Sequence, residues 1–485
     1  MQTLEAAGFT VEVGSGGMPT AFAATFSNGD GPTVATYAEY DAVPGSCQAA
    51  ATREEPRAGL SRHAAGHTDP HSALGIGALG GVLAAKSVME SAGITGTLKM
   101  FGEPAEKLRV SKPVHAAKGY YDDLDAAVSF HPHWSMPVCN TTVWETHCGV
   151  GYNYVYSFTC QNPEQWLTFD KSGTNRKNVH YAARAPGATD ALIFFYHLNE
   201  SMRRSMLPAT GFWSFNEAIL VAGQATADNL VPQFAEIDYM VRADSLEQAD
   251  AISTVMDNNA EAAAKAAFCR WKKTWVSKSR AGLANHVLAR AAYRNLELVG
   301  PPRWGREAIE TARRIQTTVG VEPLEHPFLP ATESLADPEE VERSVRQFLP
   351  EVQEHLTSDD YTEYTWHCPT ARIIVARPVL DGPAGFTYPA WAHNALGGIA
   401  ATIDPTIQTA AKAVGATLID LLTDEALLAA AHAEFDERTG GGVGGTRWQP
   451  PLLPADFSVP HRLRWPEYVT TARGTEWCIP RRDDE

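Results

Sequence analysis

Cysteine is scarce in this 485-residue chain and has no pattern. Cys47, Cys139, Cys148, Cys160, Cys269, Cys368 and Cys478 are odd in number, and none stands in a Cys-x-x-Cys spacing. That usage suggests neither a disulfide framework nor a zinc ribbon, and free thiols in a reducing compartment are expected. Basic residues are also in deficit, 40 Lys and Arg against 57 Asp and Glu, for a net charge of -17. Nucleic-acid and anionic-membrane surfaces need cationic patches to contact phosphate, so the expected partner is a small molecule. No run approaches the twenty apolar residues of a spanning helix, and Met1-Gln2-Thr3-Leu4-Glu5 lacks a basic region followed by an apolar core. A cytoplasmic protein is expected. No internal repeat at a 20 to 50 residue period is seen either.

What is present is ample apolar content, 44% of residues, enough for two or three domains. Pro32 to Ala38 reads as a strand, Ser72 to Ala92 as an Ala- and Gly-rich helix, Gly96 to Phe101 as a strand and Leu124 to Phe130 as another. This rhythm predicts an α/β fold with a mostly parallel central sheet, whose ligands bind beyond the carboxyl ends of the strands. From about His147 the sequence becomes aromatic alternation (Tyr152 to Phe158), then a helical stretch near Ala188 to Ser205, a strand at Ala235 to Val241 and a helix near Ser245 to Ala267. That is a smaller α+β insertion. The expected domains are 1–146, 147–278 and 279–485, the last with helical stretches at Asn285 to Val299 and Thr406 to Phe435 and an irregular tail after Gly440.

Chemistry concentrates at Gly66-His67-Thr68-Asp69-Pro70-His71, with two imidazoles and a carboxylate in five residues. Alternating His67, Asp69 and His71 share one side of an extended backbone. Nitrogen and oxygen ligands together suit zinc, manganese, iron or cobalt rather than an all-oxygen calcium cage. Taken alone, such a cluster also arises by chance in a chain with 16 His. Glu106 and His131 follow predicted strands and complete the candidate set.

The order of motifs resembles the aminoacylase and aminobenzoyl-glutamate hydrolase branch of the M-twenty, or M20, metallopeptidases. Glu39-Tyr40-Asp41-Ala42-Val43-Pro44-Gly45, Gly102-Glu103-Pro104-Ala105-Glu106, His131-Pro132 and Asp228-Asn229-Leu230-Val231-Pro232 are similar to four ordered stretches of that branch. The resemblance implies a catalytic α/β domain interrupted by a lid and dimerisation domain, and hence a homodimer or higher homo-oligomer. It also implies Glu106 as general base and proton donor, His180 as a lid residue reaching the oxyanion, and Asp41 as a carboxylate holding a ligand His. Asn229 and Arg184 are implied to bind substrate.

Departures from the branch are informative. Asp69 falls where relatives carry a bridging Cys, His71 where they carry a ligand His, and His67 on the leading His, where it orients the site. Lys107 stands in place of a second ligand Glu, and Asp404 in place of a late ligand His. The expectation is a mononuclear site in which Asp69, His71 and His131 hold one divalent ion, zinc or manganese, with the Lys107 ammonium between Asp69 and Asp404. His133 is expected to be supporting or structural. Trp134, Trp144, Trp213, Trp366 and Trp391 hint at an apolar pocket, although Trp is also ordinary core. The implied function is metal-dependent hydrolysis of an amide C–N bond in an N-acyl or aminobenzoyl amino acid. Hydrolytic deamination of an activated aromatic amine, of the nitroanthranilate type, and non-catalytic binding on a degraded site remain as alternatives.

Overall fold

The β-branched and aromatic runs of the sequence form two main sheets in the computed structural model. It describes residues 1–66, 71–133, 136–160, 186–207, 214–223 and 231–460 and, as backbone, 467–471 and 474–478. A short helix, α1 (Gln2–Ala6), leads into β1 (Thr10–Val13) and β2 (Phe22–Ser27), an antiparallel pair. Then come β3 (Thr33–Glu39), α2 (His71–Ala92), β4 (Thr97–Glu103), α3 (Ser111–Ala117) and β5 (Ala126–His133). Their crossovers lay β4, β3 and β5 side by side and parallel. β6 (Thr141–Thr142) follows.

The chain next builds a separate antiparallel sheet from β7 (Val150–Cys160), α4 (Ala188–Met206), β8 (Ser214–Val221), β9 (Phe234–Ala243), α5 (Leu246–Ala266) and β10 (Cys269–Ser279). Its strand order is β10-β7-β9-β8. Tyr152, Tyr154, Tyr156 and Phe158 alternate along β7 onto the face covered by α4 and α5, which is what a period of two dictates. The opposite face packs on Met18, Val110 and Val114 of the larger unit.

The last part runs α6 (His286–Val299), α7 (Arg306–Thr318), α8 (Pro338–Arg346), β11 (Thr370–Ala376), α9 (Ala390–Leu396), α10 (Ala400–Thr423) and α11 (Glu425–Thr439). β11 returns to the first sheet, parallel beside β5, giving the order β1-β2-β4-β3-β5-β11-β6. The result is an α/β fold with a mostly parallel seven-stranded sheet and a smaller α+β unit.

Three expectations are corrected. The single stretch Thr406 to Phe435 is two helices, because Asp424 ends α10 and caps α11 by accepting from the Leu427 N–H. The tail is not wholly irregular, since β12 (Glu467–Thr471) and β13 (Gly474–Cys478) pair as a hairpin. And α2, at 22 residues, is long and apolar enough to cross a membrane by length and composition, contrary to the reading of the sequence. Its composition answers to packing instead. A Cβ on Gly81 would lie 2.9 Å from Val414 on α10, and one on Gly77 3.0 Å from Phe130 of β5, so glycine is what lets α2 approach both neighbours.

β3 lies between β4 and β5, and the chain leaves it for one side and then crosses to the other. That is a topological switch point, where a crevice opens beyond the carboxyl ends of the strands. Glu39 ends β3, Glu103 ends β4 opposite it in register, and His131 lies in the last turn of the pleat of β5.

Candidate active site and metal centre

His71 is the first residue of α2 and is fully buried. Its Nδ1 lies 2.6 Å from Asp41 Oδ1, and the other oxygen of Asp41 accepts the Lys107 backbone N–H at 3.0 Å. Asp41 is ionised here: burial alone would raise its carboxyl, but the His71 hydrogen bond and charge and the Lys107 N–H bring it down to about 2. A carboxylate only accepts, so His71 Nδ1 carries the proton and Nε2 faces inward. His131 is fixed the same way, with Nδ1 donating to the Pro132 carbonyl at 2.7 Å. The two imidazoles meet edge to face with ring centroids 5.6 Å apart. Tying Nδ1 to an acceptor is how ligand histidines are oriented.

Glu39 completes the group. One ligand atom from each of Glu39, His71 and His131 lies within 4.8 Å of the others, and all three residues are buried. Glu39 Oε2 is 3.3 Å from His71 Nε2 yet accepts no hydrogen bond among the described residues. Two acceptors facing each other at that distance need positive charge between them, which a proton or a metal cation supplies. Burial pushes the Glu39 carboxyl up, against the pull of Lys112 and His71, which is the response of a buried anion short of positive charge. The donor set therefore fits a divalent cation. A second grouping, Asp41, His71 and Glu106, shares the same imidazole.

Glu106 begins a single 3-10 turn, Glu106–Leu108, flanked by two non-glycine residues in the left-handed region, Ala105 (φ 58°) and Arg109 (φ 59°). Each such residue costs about 1 to 3 kcal/mol and persists where surrounding contacts over-determine it. Those contacts are present. Arg109 donates to the Glu106 carboxylate and, at 2.6 Å, to its carbonyl, and also to the Ser358 carbonyl at 2.7 Å. Just upstream, Glu103 accepts from Tyr121 at 2.7 Å and Tyr364 at 3.0 Å and faces His115 at 3.0 Å, whose other nitrogen meets Ser15 at 2.8 Å. Burial pushes the Glu106 carboxyl up, but Arg109 and Lys107 outweigh it and hold it below the usual range. Glu106 is thus a carboxylate at neutral pH, with Oε2 3.7 Å from His71 Nε2.

Lys107 turns its ammonium to 3.5 Å from His71 Nε2 and 3.3 Å from Glu106 Oε2. The expected partnership with Asp404 is not formed. Asp404 is exposed near the start of α10 and has no ion partner among the described residues, while the Lys107 ammonium lies beside Glu106 of the turn after β4. Asp69, His67, His180, Arg184 and Asn229, with Trp134 and Trp213, lie outside the described residues. His133 borders the cavity beside His131, with ring centroids 6.3 Å apart.

Several residues of the site were not found from the sequence. Lys112, fully buried, donates to Glu39 and Asp360 at 2.7 Å each. Arg372 donates to Asp359 at 2.6 Å and to Tyr37 and Ser129 at 2.7 Å each. Arg242 of β9 is half-buried, bonds Ser214 Oγ at 2.5 Å and has no ion pair among the described residues. Burial, then the nearby charge of Arg109, brings its guanidinium down to about 10. Glu39 had a usable signal, since it ends a β-prone run at the parity of Asp41. So did the adjacent acids Asp359-Asp360 before an aromatic stretch. Arg242 had none, because only the folded chain brings the smaller sheet over the larger.

No family model matches the chain. A p-aminobenzoyl-glutamate hydrolase subunit of Escherichia coli (strain K12) is 28% identical over 327 residues, 65% of this chain and 60% of that protein. The match thus spans less than two thirds of the relative's length. Two solved structures are similar at low identity. An aminobenzoyl-glutamate utilization protein from Klebsiella pneumoniae has TM-score 0.47 and 14% identity, covering 85% of this chain and 88% of that one. The YxeP protein of Bacillus subtilis, described as a dinuclear metal binding peptidase from the M20 family, has TM-score 0.44 and 14% identity, covering 87% and 90%. The chain is thus similar over about two thirds of its length to an aminobenzoyl-glutamate hydrolase subunit, in line with the ordered motifs at the ends of β3, β4 and β5.

Proposed function

We propose that this protein hydrolyses the amide C–N bond of an N-acyl or aminobenzoyl amino acid, using one divalent cation per chain, zinc or manganese. The observation that carries the reading is the convergence of His71 Nε2, His131 and Glu39 beside the buried carboxylate of Glu106. A cation held by His71, His131 and Glu39, with Asp69 as a further ligand, supplies Lewis acidity that makes water acidic and polarises a carbonyl.

The chain's own groups do the rest. Glu106, ionised at neutral pH, takes a proton from water as the water oxygen bonds to the carbonyl carbon. It then gives that proton to the departing nitrogen as the C–N bond breaks. Lys107 stands where relatives carry a second ligand Glu, so its ammonium supplies fixed positive charge beside the reacting carbonyl. Arg242, a guanidinium without a counter-ion among the described residues, suits the carboxylate of the amino-acid half by its bidentate fork. Arg184 and Asn229 are assigned to the same end, and His180 to the oxyanion. The smaller unit is proposed to pair chains into a homodimer.

The test is release of free amino acid from N-acyl amino acids by the metal-supplemented protein and by Glu106→Gln. A fall in kcat of roughly 10² to 10⁴ with little change in KM is expected. Full activity in the variant overturns the role of Glu106. Ammonia released without a second organic fragment identifies the deaminase instead. Elemental analysis giving two metal equivalents per chain overturns the mononuclear site.

A further inference from the structure

Beyond the reacting groups the site opens into a cavity of about 310 Å³ whose lining is mixed. Glu106, Lys107 and His131 border it, with Ile374 beside His131 in the register of β11 and β5; Trp144 and the apolar group Val341, Val345 and Leu356 line it as well. Val341 and Val345 are one turn apart on α8, so they present side by side. With Leu349 they form a small apolar cluster separate from the main core. Trp144 is fixed as a wall, its indole stacked on His286 at 4.1 Å with interplanar angle 5°.

Other charges bordering the cavity are already engaged. Glu342 accepts the backbone N–H groups of Glu145 at 3.2 Å and Thr146 at 2.9 Å and the Thr146 hydroxyl at 2.6 Å. Arg372 is held by Asp359, Tyr37 and Ser129, and Arg109 by Glu106 and Ser358. A charged ligand group entering there loses its hydration and meets saturated partners, a net cost. An apolar group gains the area it removes from water. The volume is roughly twice the 150 Å³ of a cavity that holds benzene, which leaves room for a ring and its carbonyl.

We infer that this cavity is the acyl pocket and that Val341 and Val345 of α8 set the size of acyl group it takes, selecting an uncharged aromatic or branched chain over acetyl. The inference rests on the amide-hydrolysis reading and deepens it. α8 is then a specificity element contributed by the second half of the chain, facing groups contributed by the first.

The experiment compares kcat/KM for the N-benzoyl and N-acetyl derivatives of one amino acid in the full chain and in Val341→Phe and Val345→Phe. The wild type favours benzoyl by at least about tenfold, and each Phe variant lowers that ratio by roughly tenfold, chiefly through KM. Val341→Ala, which enlarges the pocket without blocking it, shifts preference toward a naphthoyl substrate. An unchanged ratio in both Phe variants overturns the inference. If the wild type cleaves neither amide, the hydrolase reading fails, and the pocket is then judged by calorimetric binding of the N-benzoyl amino acid. Binding weakened in Val341→Phe supports the pocket and unchanged binding overturns it.

Discussion

At the carboxyl ends of β3 to β5, a fully buried Lys112 lies 2.7 Å from both Glu39 and Asp360, and Arg372 lies 2.6 Å from Asp359. On the face of the smaller sheet turned away from its helices, Asp238 and Arg242 of β9 have no ion partner among the described residues. The consequences differ in sign. Near the strand ends, neighbours overcome burial at Asp41 and Glu103, which each stand at about 2, held down by His71 and by His115 respectively, whereas burial still pushes up Glu39 and Asp360 against the pull of the Lys112 they share. On the smaller sheet burial wins, and Asp238 is pushed up to about 7 while Arg242 is brought down to about 10. Paired charge there builds a rigid scaffold for Glu39 and Glu106. Among the described residues Arg242 on β9 has no counter-ion, the state in which a guanidinium is open to a carboxylate ligand.

Breaking the paired side gives the largest effect. Lys112→Met leaves Glu39 and Asp360 buried without their shared cation, and a loss of about 3 to 5 kcal/mol is expected in denaturant titration. Adding Asp360→Asn to that variant should restore part of the loss. If Lys112→Met is as stable as wild type, the pairing contributes nothing to the scaffold.

On the unpaired side, Asp238 makes stability fall with pH. Its folded pKa is raised, so the folded chain keeps a proton that the unfolded chain releases from about pH 4. Stability is therefore undiminished below about pH 4, declines to about pH 7 and is flat beyond, by on the order of 4 kcal/mol if the whole shift is expressed. Asp238→Asn should remove that slope and be the more stable protein at pH 8. Parallel pH profiles for the two proteins count against an uncompensated carboxyl.

Arg242→Gln tests what the missing counter-ion is for. Loss of a charge-assisted hydrogen bond of about 1.5 to 3 kcal/mol should raise KM roughly 10- to 100-fold for an amino-acid substrate. The corresponding amino-acid amide, lacking the carboxylate, should be affected far less, and equal effects on both remove Arg242 from substrate recognition. The smallest effect is expected from Tyr364→Phe, which takes one of several hydrogen-bonding partners from Glu103. About 1 kcal/mol is expected there. A larger loss, with kcat reduced, would show that the Glu103 anchor also sets the position of Glu106.

Much of the large sheet could be read from the chain. β3, α2, β4 and β5 stand within two or three residues of the runs that suggested them, each a continuous apolar or β-prone run, with Pro32 and Gly96 marking the starts of β3 and β4. β1, β2 and β11 escaped; the seven residues of β11 are wholly buried and show no alternation, as is usual in a parallel sheet. Of the candidate site, His71, His131, Glu106 and Asp41 were visible as motif residues at strand ends. Glu39 sat inside a recognised motif without a role, and the placing of Lys107 with Asp404 failed because sequence alignment carries no distance.

The order of acids and histidines after successive strands, and hence the switch-point crevice, is a property of the sequence alone, since connection rules leave few other ways to arrange those strands. Only the tertiary structure decided which nitrogen of each histidine faces the crevice, which cation each carboxylate keeps, and that Arg242 and α8 stand beside groups more than a hundred residues earlier in the chain. Those outcomes depend on burial and on distances of a few ångströms between remote segments, and no local pattern of residues encodes either.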